Sequence, residues 1–203
     1  MLIASPDKAF AADDVQKRPY WSIEFKGGAY YLDDDQWDRF YGKSHTGQVG
    51  MALGYKFTRC IEAGIESYYI KDSGVGYLPE NNTTGGDVTI TMYPVNLFLL
   101  YRAVFNEDQT VVPYIGGGWT HMFYRQKISG QDNVEGSSDG YHLRAGLQLL
   151  LDNFDKGSSL NAADHGIDNT YMFLEVESIK VEDNATTSKL GGQLLSLGVL
   201  VEF

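Results

Sequence analysis

Cysteine is nearly missing from this 203-residue chain: Cys60 stands alone, so no internal disulfide forms and no cysteine-cluster metal site can be built. Positive charge is scarce as well. Lys and Arg number 16 against 27 Asp and Glu, a formal charge of −11, which excludes the broad basic face that nucleic-acid backbones require. No apolar run reaches the ~18 residues of a membrane-spanning helix, and no segment sustains the i, i+3, i+4 stripe of an amphipathic one. Repeats of fixed period and low-complexity tracts are absent. The four histidines, His45, His121, His142 and His165, include no pair at metal-ligand spacing, and no metal or other cofactor is expected.

What the chain has instead is glycine, 23 residues, and aromatics at 13%, distributed over segments of period two. That spacing places successive side chains on opposite faces of a sheet. The first segment sets Trp21, Ile23, Phe25, Ala29 and Tyr31 against Ser22, Glu24, Lys26, Gly28 and Tyr30. The second sets Val49, Met51, Leu53, Tyr55 and Phe57 against Gln48, Gly50, Ala52, Gly54 and Lys56, and the third sets Ile61, Ile65 and Tyr69 against Glu62, Gly64, Glu66 and Tyr68. A fourth, 88–103, is less regular, with a bulge or an edge-like break expected at Pro94, which cannot donate to a ladder. A fifth, 113–126, holds the run Gly116-Gly117-Gly118, and its faces stay unassigned. The sixth (141–152), the seventh, which loses phase near Ser178, and the eighth, ending at Phe203, complete the set.

Eight segments of about 10 residues or more are each long enough to cross a bilayer when tilted. The expected joins are long and polar after the odd segments (33–44, 72–87, 128–139 and 183–192). They are short after the second and fourth, while 153–169 is a long exception. Long loops at one end and tight turns at the other are the arrangement of an outer-membrane barrel. The expected fold is therefore all-β, an eight-stranded antiparallel up-and-down transmembrane barrel over residues 19–203. Residues 1–18 are expected to be a signal-peptide remnant or a disordered arm, with Ala9-Phe10-Ala11 as a cleavage pattern.

The polar face decides which side looks inward. It carries Glu24, Lys26, Lys56, Glu62, Glu66, Arg102, Arg144, Glu175 and Glu177, interspersed with Ser, Ala and Gly. On the wetted exterior of a soluble, lipocalin-like barrel such small residues have no purpose, whereas the interior of an eight-stranded barrel barely fits its own side chains. Charges removed from water need partners, so these nine residues are expected to form a salt-bridged network in the lumen. The apolar rows then face lipid, with aromatics near segment ends where interfacial girdles lie.

The last strand ends Ser196-Leu197-Gly198-Val199-Leu200-Val201-Glu202-Phe203. Ser196, Gly198, Val201 and the terminal Phe203 resemble the signal read by the bacterial outer-membrane assembly machinery. More broadly, residues 19–203 resemble the small eight-stranded outer-membrane barrels of the protein A and protein W types and the porin-like barrel superfamily. The resemblance is carried by Met92-Tyr93-Pro94-Val95, Pro113-Tyr114-Ile115-Gly116-Gly117-Gly118 and the last strand. It implies integral residence in the bacterial outer membrane with both termini periplasmic. The implied partners are outer-membrane lipid and lipopolysaccharide, and the assembly machinery and periplasmic chaperones during biogenesis. The roles it brings are passage of small or apolar solutes, envelope anchoring, adhesion and, in a few members, lipid A modification.

Other constellations carry less. Gly136-Ser137-Ser138-Asp139-Gly140 fits G-x-S-x-G, but a nucleophile elbow needs a strand before it and a helix after. His121, His142 and Ser138, with Asp139 and Glu177, are expected near one rim, where a lipid-modifying site would need them. Asp33-Asp34-Asp35 and Asp38 read as a solvated acidic loop, and 153–169 as a turn available to a periplasmic partner. Catalytic residues are not expected. The leading expectation is porin-like passage of small or apolar solutes through a narrow, charge-gated lumen. The alternative is a non-conducting structural or adhesion barrel working through its outer loops, and a lipid A-modifying enzyme is the remote one.

Overall fold

The computed structural model describes residues 19–33, 43–78, 83–106, 109–130, 132–153, 166–181 and 190–203. Eight strands run β1 (Trp21–Leu32), β2 (Thr46–Lys56), β3 (Ile61–Leu78), β4 (Thr83–Arg102), β5 (Val111–Ile128), β6 (Val134–Leu150), β7 (Asn169–Val181) and β8 (Gly192–Glu202). Each pairs antiparallel with the next, and β8 closes on β1 from Ser22↔Glu202 to Leu32↔Gly192. Closure leaves the barrel body no unpaired edge, the condition for backbone to survive in hydrocarbon. The expected all-β barrel is the observed one.

Alternation holds around the whole circumference. On β2 the burial pattern reverses at every residue from Thr46 to Val49 and again from Met51 to Lys56, the inward residues being Thr46, Gln48, Ala52, Gly54 and Lys56. Outward positions such as Leu53, Leu97, Leu143, Leu174 and Leu197 are exposed although apolar, the inverse of a water-soluble barrel and the pattern of one solvated by lipid.

The strands differ in height. β3 to β6 run 17–20 residues, while β1, β2, β7 and β8 run 11–13. The polar stretches 72–87 and 128–139, expected as loops, are mostly strand: β3 and β4 stay paired to Leu78↔Thr83, and β5 and β6 to Gln126↔Val134. Their serines, threonines and glycines read as turn signals, yet cross-strand pairing carries the hairpins on as a tall wall. Among the described residues, the β3 ladder beyond Ile70 continues only with β4, and the β6 ladder before Gly140 only with β5. At Pro94 the expected break is a gap in the β3–β4 ladder, which passes from Ser67↔Val95 to Ile70↔Met92, and not a bulge. The β3–β4 register keeps one offset on both sides of Pro94 and shifts between Val75 and Tyr77.

The unassigned faces of β5 resolve around its glycine run. Val112, Tyr114, Thr120, Met122 and Tyr124 point inward. A Cβ at Gly116 would lie 2.8 Å from the Leu100 Cδ1, and one at Gly118 would collide with the Leu97 carbonyl. Here the backbone approaches β4 too closely for a side chain.

The loss of phase near Ser178 is chemical and not geometric. Ile179 continues the inward row of Tyr171, Phe173, Glu175 and Glu177, but it enters an apolar layer. That layer packs Tyr30, Ile70, Met92, Met122, Ile179 and Leu194 across the lumen near the long-strand end. The same layer explains the irregular start of β4, where Val88, Ile90 and Met92 face inward.

Candidate functional site: a closed, charged lumen

All nine ionisable residues singled out from the sequence are buried on the inner face. They fall into two separate layers. The central layer holds Glu24 and Lys26 of β1, Glu66 of β3, Arg144 of β6, and Glu175 and Glu177 of β7. Arg144 meets three carboxylates: Nη2 donates to Glu24 Oε1 at 3.0 Å, Nη1 donates to Glu66 Oε2 at 2.7 Å, and Nε stands 2.8 Å from Glu175 Oε2 at ion-pair distance. Planar guanidinium recognition of this kind is what a lysine could not replace. Lys26 reaches Glu66, lies 2.7 Å from Glu175 Oε1 and 3.5 Å from Glu24 Oε2. The two cations therefore share the same three carboxylates. Glu177 has no ion pair among the described residues. Tyr68 donates to its Oε2, and Asn96 Nδ2 donates to its Oε1 at 2.8 Å and to Glu66 Oε1 at 2.9 Å.

The second layer sits at the end carrying the chain termini and contains Lys56, Glu62 and Arg102. Glu202, unselected from the sequence although it shares the inward phase of Ser196 and Gly198, is its hub. Lys56 and Arg102 both pair with Glu202, and Arg102 Nη1 stands 3.9 Å from Glu62 Oε2. Asn169 Nδ2 donates to the other Glu202 oxygen at 2.9 Å.

Aromatic rings tie the layers together. Arg102 lies over the Tyr171 ring at 5.1 Å and Lys26 over Phe173 at 5.9 Å, both rings belonging to one apolar cluster with Val112, Leu150 and Leu200. The Arg144 guanidinium lies 4.7 Å from the Phe98 ring centroid, the short range at which a desolvated cation–ring contact contributes most. The neutral polar residues Gln48, Asn96, Tyr68 and Tyr114 were not selected as site residues, because hydroxyls and amides look like ordinary strand residues until their partners are known. Tyr114 donates to Glu175 at 2.8 Å, and Gln48 to Ser196 at 2.7 Å.

The residues of the expected assembly signal divide by face. Ser196 and Gly198 line the lumen and Phe203 is exposed at the barrel end, its N–H bonded to the Trp21 carbonyl at 3.0 Å. A Cβ at Gly198 would meet the Phe173 ring and the Phe25 carbonyl oxygen at 2.5 Å, so packing alone requires glycine there.

The expected rim cluster is not assembled. His121 and Asp139 face outward and bond each other at 2.7 Å, whereas His142 and Glu177 are buried in the lumen, His142 against Thr120 at 3.1 Å. The G-x-S-x-G stretch lies within β6, with strand on both sides of the serine and no helix following. Of the acidic loop only Asp33 is described, and most of 153–169, all of 1–18 and His165 lie outside the described residues.

An eight-stranded closed barrel, apolar outside and charged inside, is an integral barrel of a bacterial outer membrane. The model of the outer membrane protein β-barrel domain matches residues 1–203, and the chain belongs to that family. Among solved structures it is similar to Neisserial surface protein A (TM-score 0.60, 13% identity, 91% of this chain and 97% of that one). It is similar also to OprG of Pseudomonas aeruginosa (0.61, 13%, 94% and 99%) and to Ail, the attachment invasion locus protein of Yersinia pestis (0.52, 16%, 92% and 99%). At these identities the likeness is one of fold. No curated protein matches the chain.

Proposed function

We propose that this is a non-enzymatic interaction barrel, closed to ions at rest, that works through its outward-facing surface and the tall wall of β3–β6. The observation that supports this reading is the lumen's filling in series. The terminal-end ionic layer, the central ionic layer and the apolar layer above them are all built from buried side chains. Opening a path would require breaking paired buried charges, which costs several kcal/mol for each partner removed (about 3–5). In the same reading both termini face the periplasm and the long strands face outward. Ser196, Gly198, Val201 and Phe203 are presented to the assembly machinery before closure, and residues 153–169 lie on the side of any periplasmic partner.

Porin-like passage is the second reading, and one feature favours it: Lys26 and Arg144 compete for Glu24, Glu66 and Glu175, so each has a second acceptor at hand if one contact breaks. Conductance of the refolded chain in a planar bilayer separates the two. A silent membrane, with insertion verified by protease protection, is the expected result; wild-type steps that change in size or duration on Arg144→Glu would overturn the closed reading in favour of a gate.

A further inference from the structure

Three buried carboxylates of the central layer converge in the lumen: one oxygen each of Glu66, Glu175 and Glu177 lies within 4.8 Å of the others. Two of them are held by cations, since Lys26 and Arg144 both pair with Glu66 and with Glu175. Glu177 is not. Arg144 stands directly opposite it in the β6–β7 register, yet the guanidinium turns to Glu24, Glu66 and Glu175. The groups that do reach Glu177 are neutral, the Tyr68 hydroxyl and the Asn96 amide.

Asn96 bears the mark of a missing donor. Its Nδ2 serves two carboxylates, at 2.9 Å from Glu66 Oε1 and 2.8 Å from Glu177 Oε1, while its Oδ1, on the same buried amide, has no hydrogen-bond partner. The last side-chain torsion of Asn is soft. A turn about it leaves Nδ2 with Glu66 and brings Oδ1 towards Glu177, from which it can accept a hydrogen bond only if that carboxyl is protonated.

No other side chain of the layer supplies the missing charge. The titratable groups turned towards it are Glu24, Lys26 and Tyr30 of β1, Glu66 and Tyr68 of β3, Tyr114 of β5, His142 and Arg144 of β6, and Glu175 of β7. β2, β4 and β8 present Gln48, Asn96 and Ser196, which do not titrate. Four carboxylates thus face two cations. His142 lies one inward row from Arg144, opposite Ile179 and against Thr120, and has no ion pair among the described residues. Of several carboxyl groups sharing a site closed to water, the one without a countercharge is the one that keeps a proton.

We propose that Glu177 is a proton-binding site, held as the neutral carboxylic acid near neutral pH, and that this proton keeps the central layer closed. The proton comes from the aqueous phase as the barrel closes. Its loss raises the excess of carboxylates over cations in the layer from one to two. In the unfolded chain Glu177 is an ordinary carboxylate, ionised at neutral pH. The folded state therefore binds the extra proton, and stability falls as pH rises, by up to about ten-fold in the folding equilibrium constant per pH unit while the proton stays bound. The proposal rests on the closed reading above in one respect, the exclusion of water from Glu177. Bilayer steps would fail that reading, whereas an ionised Glu177 in a silent barrel would fail this proposal alone.

The test is infrared spectroscopy of the full chain folded into vesicles, read at the carbonyl band of a protonated carboxylic acid and its shift in heavy water. Reversible folding is followed in parallel from about pH 6 to about pH 8. Near neutral pH wild type is expected to carry a band that Glu177→Gln lacks. Over the same range wild type is expected to lose about ten-fold or more in folding equilibrium constant relative to Glu177→Gln. Should that variant fail to fold, Tyr68→Phe, which takes a hydrogen-bond partner from the acid, replaces it and is expected to move the band. Identical carboxylic-acid bands in wild type and Glu177→Gln, or parallel stability curves for the two, would overturn the proposal. A band that Tyr68→Phe leaves in place, where that variant is the one used, would overturn it as well.

Discussion

Lys26 of β1 and Glu66 of β3 pair across the lumen with both side chains wholly shielded from solvent, and Glu66 takes Arg144 of β6 as well. One carboxylate thereby joins three strands that are not neighbours in the sheet. Buried pairs of this kind are weak sources of net stability but costly to break from one side. Arg144→Met, which removes the guanidinium and keeps much of the volume, leaves Glu24, Glu66 and Glu175 with Lys26 as their one shared cation among the described residues. It is expected to lower stability by about 3–5 kcal/mol, read as a shift in the urea midpoint of folding into lipid vesicles. Glu66→Gln should cost less than Arg144→Met, because Glu24 and Glu175 still serve both cations. The reverse order would show that Glu66 and not Arg144 organises the layer.

Gly50 gives a test of interior crowding. A Cβ there would lie 2.5 Å from Tyr68 Cδ1 and 2.8 Å from Cε1, with backbone no nearer than 3.1 Å. Gly50→Ala must therefore move the ring whose hydroxyl serves Glu177. Overpacking of this size costs about 1–3 kcal/mol. Adding Tyr68→Ala should return part of that loss, so the double variant is expected to be clearly less destabilised than the sum of the singles. Strict additivity in the same unfolding assay would mean that the glycine is needed for some other reason.

Legibility from sequence followed the physics of each face. The inward placement of Glu24, Glu66, Arg144 and Glu175 follows from counting by two, because charge against Leu and Val gives a strong contrast. The method failed where inward residues are themselves apolar. Val88, Ile90 and Ile179 erased the contrast while the pleat continued unbroken, and β4 and β7 looked irregular as a result. It failed again in the wall, where Ser, Thr and Gly between Asp72 and Asp87 resemble a turn. Their strand state is set by partners 5–18 residues away, which composition does not carry. Glu202 was within reach, since it shares the phase of Gly198. The division of nine charges into two layers was not, because it depends on how far each side chain reaches across the barrel.

The exterior makes an opposite demand. Leu143 is outward on β6 and 61% exposed, one residue from buried Arg144. Leu143→Arg places a charge on the lipid face, where a position near mid-bilayer costs about 2–4 kcal/mol and one near the interface about 0–1. Ser137→Arg, on the same face of β6 and six residues nearer the long-strand end, is expected to cost under about 1 kcal/mol. Comparable costs at both sites, measured by reversible folding into vesicles, would mean that the apolar band does not lie where the outward leucines put it.

The lone cysteine supplies a reporter of orientation. Cys60 sits half-buried in the turn between β2 and β3, its thiol donating to the Val104 carbonyl at 3.5 Å, at the end of the barrel that carries the termini. Ser129 is exposed in the turn between β5 and β6, at the opposite end. With the termini facing the periplasm, a membrane-impermeant maleimide should leave wild-type Cys60 unmodified in intact cells and label it once the outer membrane is permeabilised. The Cys60→Ser/Ser129→Cys variant should label without permeabilisation. Both sites bear on the same geometry from opposite ends, so slow reaction of the half-buried Cys60 cannot imitate the expected pair of results. Labelling of Cys60 in intact cells, with Ser129→Cys protected until permeabilisation, would invert the barrel and place the tall wall in the periplasm.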